Sequence, residues 1–209
     1  MDMLELTWEK QLFAAGYKLV GGIDEAGRGP LAGPVVAACV ICPRDFKIGE
    51  ELFLVNDSKQ LSEKKREMLY EKIFKNFPAV GIGVCDNKTI DKINILEAAF
   101  LAMKKAIGAL RSKPDCLLLD GRLPIPNISL PQKPVIHGDA LVFSIAAASI
   151  IAKVTRDRLM KAMDERYPEY GFKLHKGYGT KFHFEQIKKY GPCPIHRRSF
   201  SPIKEMVGR

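Results

Sequence analysis

At 209 residues, with 46% hydrophobic and 27% charged, the chain has the composition of a folded protein with room for a substantial core. Its longest apolar run, Ala140 to Ala152, carries two serines and is too short to span a bilayer, and the acidic start MDMLELTWEK lacks the basic-then-apolar order of a secretory signal. The net charge of +9 is concentrated, since residues 153–209 hold 14 Lys/Arg against 6 Asp/Glu and residues 1–152 hold 19 against 18, which makes the C-terminal quarter a candidate face for a polyanion.

In chain order, residues 4–15 read as a short amphipathic helix. Tyr17–Asp24 and Val35–Cys42 are apolar, β-branched runs that predict two strands joined by a glycine turn. Ser62 is placed to cap a helix running to about Asn76, with Leu61, Met68, Leu69 and Ile73 on its buried side. Ala79–Val84 predicts a third strand, and a long helix is expected from near Thr89 to Leu110. Cys116–Leu119 is a fully apolar strand that stops at Asp120-Gly121. Prolines 124, 126, 131 and 134 mark an extended loop leading to a short fifth strand at Val135–Ile136. The helix after Asp139 is apolar on nearly all sides as far as Ala152, so it should lie buried against the sheet. Past Arg166, Pro168 and Gly171 break the pattern and open a basic helix-and-loop tail. Strand–helix alternation after two early strands implies an α/β sheet of mixed direction. The whole chain, 1–209, reads as one domain, with residues 167–209 as its basic subregion.

The densest chemistry lies in GIDEAGRGPLAG, residues 22–33. Asp24 and Glu25 close the first strand, and a glycine-rich turn carrying Arg28 follows at once. Asp120 closes the fourth strand and Asp139 follows the fifth. Side chains at the ends of different strands converge in α/β sheets, and hard oxygen donors of this kind suit magnesium. Carboxylates repel phosphate unless a cation lies between them, so acids beside a phosphate-friendly loop suggest metal-assisted chemistry on a phosphate ester. Singly, Asp120-Gly121 is also an ordinary turn signal and Asp139 could be a helix N-cap. Jointly with Asp24-Glu25 the metal reading is the better one, and acids brought so close should have their pKa values pushed upward.

Other motifs carry less. The glycine turn matches neither a Walker A loop nor GxGxxG. Cys39 and Cys42 spell CxxC, but positions three apart in a strand face opposite sides, so zinc is not expected. Five scattered cysteines form no disulfide framework and point to a reducing cytoplasm. Cys193 and His196 read as packing and surface residues. In HKGYGT (175–180) and GPCPIHRRSF (191–200), aromatics interleaved with cations suit stacking on a nucleic acid.

The stretches GIDEAGRGPLAGPVVAA, NDSKQLS, INILEA, LLLDG, GDALVFSIAAASIIAKVTRD, HKGYGT and GPCPIHRRSF resemble the type 2 ribonuclease H family, ribonuclease HII, in its bacterial branch. The resemblance implies an RNase H-like fold with a five-stranded mixed sheet flanked by helices and a helical C-terminal part. It implies an endonuclease that cuts the RNA strand of RNA–DNA hybrids, including single ribonucleotides embedded in duplex DNA, and leaves 3′-hydroxyl and 5′-phosphate ends. By motif match, Asp24, Glu25, Asp120 and Asp139 correspond to the acids that bind two Mg2+ or Mn2+ ions. Gly27, Arg28 and Gly29 look like the element that inspects the ribose 2′-hydroxyl, and Tyr178 like the tyrosine that packs on the sugar at the RNA–DNA junction. Lys59, Arg197 and Arg198 would contact the nucleic-acid backbone. His137 stands where a Lys or Arg is common in the family, which implies a local pH dependence near Asp139. The type 3 sister family fits less well, because Arg28, Asp139 and the short N-terminus all depart from it. No clamp-binding peptide is evident at the VGR end, and a cytoplasmic monomer is expected. Two other readings are a non-catalytic hybrid-binding module of the same fold and a metal-dependent phosphatase; incubation with a labelled hybrid and magnesium separates them from the nuclease.

Overall fold

A computed structural model describes residues 3–207. Five strands form one mixed sheet: β1 (Leu19–Ala26), β2 (Val35–Pro43), β3 (Val80–Cys85), β4 (Cys116–Asp120) and β5 (Gln132–Val135), in the spatial order β3-β2-β1-β4-β5. The first three pair antiparallel, whereas β4 lies parallel to β1 and β5 parallel to β4. The helices are α1 (Thr7–Ala14), α2 (Glu63–Asn76), α3 (Asn87–Ile93), α4 (Ile95–Ala109), α5 (Gly138–Leu141), α6 (Phe143–Arg166), α7 (Phe172–His175), α8 (Lys181–Tyr190) and α9 (Ile203–Val207). Among the described residues, no helix is long and apolar enough to cross a membrane.

Strand alternation divides the core in two. Val20, Ala38, Val40, Cys42 and Leu118 face a layer built with α1, α2 and α6, while Ile23, Cys39, Ile41, Leu117 and Leu119 face a layer built with α4. Cys39 and Cys42 therefore lie on opposite faces, as their spacing in a strand requires. The start of α6, Phe143 to Ala152, is buried throughout and crosses β1 and β2. It comes so close at Gly22 that a β-carbon there would stand 2.3 Å from the Ser144 carbonyl carbon. Around Met160 the end of α6 joins Leu31, Tyr170, Phe172, Ile187 and Ile203 in a third cluster, which fastens the basic tail to the glycine turn.

Ser62 caps α2 by accepting from the Lys65 amide, as anticipated, but Met68 is 39% exposed rather than buried. The helix expected from Thr89 to Leu110 is two helices. Asn94 takes a left-handed φ of 65°, which asparagine tolerates, and its side-chain oxygen accepts from the Leu96 and Glu97 amides to start α4 afresh. The fifth strand lies earlier than expected, at 132–135, and contains Pro134, acceptable because β5 is an edge strand. The helix after β5 is interrupted at Val142, whose extended backbone separates α5 from α6.

Candidate functional site

Register brings the acids together. Asp24 follows Ile23, which pairs with Leu119 across the parallel β1–β4 ladder, so Asp24 lies beside Asp120 at the strand ends. Asp120 in turn pairs with Val135, and its Oδ1 accepts from the Gly138 amide at 2.7 Å, which draws the start of α5 across the sheet end. Asp139 is the second residue of that helix. It is not the N-cap, a position held by His137 with a left-handed φ of 57°. One carboxylate oxygen from each of Asp24, Asp120 and Asp139 lies within 4.8 Å of the others, a spacing that fits a common cation. Glu25, the next residue of the strand, stands outside that trio and accepts from Arg28 at 3.2 Å. It lines the same cleft as Asp24 and Asp120.

Of the four carboxylates gathered here two are ion-paired, Glu25 with Arg28 and Asp139 with Lys59 at 2.8 Å. Burial first, and then the charges of Glu25 and Asp120, push the Asp24 carboxyl well above its ordinary range. The Asp120 carboxyl is raised by burial and by Asp139, and that of Glu25 by burial despite its arginine partner. This is the upward shift anticipated for crowded acids, with desolvation as the larger cause. The chemistry of the set is that of a hard-cation site: oxygen donors only, partly desolvated and short of positive charge. Ser149 from α6 lines the same cleft, its hydroxyl 2.7 Å from that of Ser58, and acts to lower the Asp24 carboxyl slightly against the larger effects of burial and neighbouring charge.

The acids open into a cavity of about 320 Å³ bounded by Gly27, Arg28 and Gly29 on one side, Lys59 on another, and Lys153, Arg156 and Tyr178 beyond. Tyr178 is 46% exposed, and its ring lies beside the glycine turn and 6.0 Å from the Arg156 guanidinium. The structure thus brings eight of the eleven expected residues to one cleft and the ninth, Asp139, to its acid cluster. Arg198 is exposed but stands outside the residues lining this cavity, its amide bound to Asp91. Arg197 is a correction. It is fully buried, and its guanidinium donates to the carbonyls of Gly27, Arg28, Gly33 and Pro34, so it holds the turn from beneath and cannot reach a nucleic-acid backbone. Ser149, Lys153 and Arg156 were missed by the sequence reading. Their spacing of four and three residues marks one polar stripe on an otherwise apolar helix, and that was the available signal.

Behind Tyr178 the tail is tied by histidines. The Cys193 amide donates to His196 Nδ1 at 2.9 Å, leaving the proton on Nε2, which faces His183 Nε2 at 3.0 Å; His183 Nδ1 then donates to the Tyr178 carbonyl at 2.9 Å. His196, read with Cys193 as a packing or surface residue, packs in the interior against Tyr170 and Phe172. Burial lowers both imidazoles from 6.5 to about 4. A histidine whose folded pKa is depressed contributes stability in full above its unfolded value and loses it as pH falls toward the folded one. Between pH 7 and pH 5 the pair should therefore cost the fold roughly 2–4 kcal/mol. Urea denaturation at the two pH values measures this, and His183→Asn, which keeps a donor toward Tyr178 but cannot take up a proton, should flatten the slope.

A family model described as Ribonuclease HII matches residues 21–203. A ribonuclease HII of Lactobacillus delbrueckii subsp. bulgaricus is 57% identical over 97% of this chain and 76% of its own. One from Acetivibrio thermocellus is 56% identical over 93% and 74%, and one from Geotalea daltonii 52% over 97% and 91%. The crystal structure of ribonuclease H2 from Pyrococcus horikoshii superposes with a TM-score of 0.75 at 30% identity, covering 91% of this chain and 98% of that one. The RNase HII seen in a PCNA complex from Archaeoglobus fulgidus gives 0.72 at 28%, over 88% and 95%. A Bst-RNase HIII solved with Mn2+ shares the fold at 0.72 with 20% identity, over 91% and 70%.

Proposed function

The chain belongs to the ribonuclease HII family and is a metal-dependent endonuclease acting on the RNA of RNA–DNA hybrids, and from that premise we propose that it also cuts duplex DNA at single embedded ribonucleotides, with Mg2+ or Mn2+ held by Asp24, Glu25, Asp120 and Asp139. The observation that carries this reading is the convergence of three aspartates, within 4.8 Å, at the end of a cleft walled by the Gly27–Gly29 turn and Tyr178. Two divalent ions bound there would supply an activated water and neutralise the leaving oxygen of an in-line displacement, giving 3′-hydroxyl and 5′-phosphate ends.

The chain's own residues do the rest. Asp24, buried beside Glu25, Asp120 and Asp139, would be the acid shared between the ions. Asp139 would serve the side that activates water, and Glu25 with Asp120 the leaving-group side. Lys59 has a 76% exposed side chain resting on Asp139. It neutralises that acid, and its exposure would let it turn to a phosphate of a bound duplex. Arg28 and the turn amides face the sugar–phosphate, where the 2′-hydroxyl alone distinguishes RNA from DNA at one position. Tyr178 offers an exposed ring for a sugar to pack on. The basic tail, of which Arg198 is an exposed member, supplies long-range attraction to the duplex. We read the protein as a single catalytic domain, residues 1–209, acting as a cytoplasmic monomer.

A labelled duplex with one ribonucleotide, incubated with magnesium, manganese or chelator, tests reaction, specificity and cofactor together. Cleavage at the ribonucleotide with either ion, and none with chelator, is the expected result. Equal cutting of an all-DNA duplex overturns the reading.

A further inference from the structure

Two arginines lie buried beneath the glycine turn, and neither forms an ion pair with a carboxylate among the described residues. Arg197 is 0% exposed, and its Nε, Nη1 and Nη2 donate to the carbonyls of Gly33, Arg28 and Gly27 at 3.0, 2.8 and 2.5 Å. Arg156 is 1% exposed and donates to the Pro34 and Ala32 carbonyls at 2.9 and 3.1 Å. One comes from the tail and the other from α6, so elements remote in sequence meet under a single loop. Between them they engage five of the loop's carbonyls. Burying cations this way is costly, and a turn of glycines and prolines does not need it merely to change direction.

The orientation they impose has a chemical consequence. In a trans peptide the carbonyl and the following amide point in opposite directions. With the Gly27 and Arg28 carbonyls drawn inward to Arg197, the amides of Arg28 and Gly29 must point away from it. Neither amide has an acceptor among the described residues, and both residues line the cleft beside Tyr178. The result is a pair of neighbouring donors held at a fixed angle, able to receive an oxygen that ribose has and deoxyribose lacks. Glycine at 27 makes room for the arrangement, since a β-carbon there, at φ 99°, would stand 2.1 Å from Arg156 Nε. We propose that Arg156 and Arg197 are positioning residues for discrimination between ribose and deoxyribose, aiming the Arg28 and Gly29 amides at the 2′-oxygen.

This inference rests on the proposed recognition of the 2′-hydroxyl, and the test separates the two. Fluorescence anisotropy, with chelator present to prevent cleavage, gives the affinity of the protein for a duplex with one ribonucleotide and for the matched all-DNA duplex. Wild type should bind the first more tightly. Arg197→Lys keeps the charge but not the fork that spans several carbonyls. It should reduce the affinity ratio at least fivefold, leave affinity for the all-DNA duplex within twofold, and leave Mn2+ binding to the acids, read by calorimetry, unchanged. A merely structural role would weaken both duplexes alike and preserve the ratio. Should Arg197→Lys fail to fold by circular dichroism, Arg156→Lys is read the same way. A folded variant with the wild-type ratio overturns the positioning role alone. A wild-type ratio of one overturns the 2′-hydroxyl reading and this inference with it.

Discussion

Asp24→Asn should reduce cleavage by about 10³-fold or more while leaving the metal-free protein at least as stable as wild type. The first half follows from what the carboxylate supplies. Charge neutralisation at a reacting phosphate is worth several kcal/mol, and each 1.4 kcal/mol is about tenfold in rate. An amide in the same place keeps the shape but withdraws the charge that would hold the cation. The second half follows from sign. A carboxyl whose folded pKa is raised above its unfolded value destabilises the fold at any pH above that unfolded value, and the penalty vanishes as pH falls below it. Asp24 is raised by burial and by Glu25 and Asp120, so at neutral pH it is a liability until a cation arrives. Thermal melting with chelator should show the Asp24→Asn variant equal or higher in Tm, and adding Mn2+ should raise wild type more than the variant. Wild-type turnover by Asp24→Asn would end the case for the acid cluster. A variant that is inactive because it is unfolded would contradict the stability half.

How far the sequence discloses this site depends on which force places each residue. The strands are legible because β1, β2 and β4 are short, largely apolar runs buried on both faces, a pattern visible in the sequence directly. The acids are legible only jointly: each alone has an ordinary turn or capping role, but several carboxylates placed at the ends of neighbouring strands would repel one another without a cation. Asn94 shows what local pattern misses. The apolar periodicity continues across it, and only the combination of a left-handed backbone and a capping side chain breaks the helix there. Arg197 shows the opposite failure. An arginine in a basic tail reads as solvated or as a phosphate contact because fully buried arginines are rare. Its carbonyl partners are more than 160 residues away, with nothing in the local sequence to name them. Lys153 and Arg156 were obscured likewise by the apolar run before them, although the stripe with Ser149 was present. The His183–His196 pair depends on a tertiary meeting that spacing alone does not encode.

Gly22→Ala should destabilise the protein by about 3 kcal/mol or more and reduce activity besides, though Gly22 is not among the residues lining the acid cleft. The added methyl would stand 2.3 Å from the Ser144 carbonyl carbon, 2.5 Å from its oxygen and 2.6 Å from the Ile145 nitrogen. Those are backbone atoms of α6, so no rotamer change relieves the clash, and either the helix moves off the sheet or the sheet bends. The first turn of α6 is also where Glu9 of α1, itself buried, accepts from the Ser144 amide, so a shift there breaks a buried hydrogen bond as well. Asp139 lies five residues before Ser144, at the far side of the single extended residue Val142, and α5 is carried with α6. Displacing that turn moves Asp139 relative to Asp24 and Asp120, which are fixed in the sheet. A cation site assembled from separate elements loses affinity when one of them slides. Urea unfolding gives the stability change and Mn2+ calorimetry on the folded variant gives the loss at the site. Comparison with Gly108→Ala, where outside its own helix nothing among the described residues stands within 4 Å of the new carbon, isolates the clash from the general effect of replacing glycine. If Gly22→Ala behaves like Gly108→Ala in both measurements, α6 does not press on β1 as described, and the coupling between helix position and the acid cluster fails with it.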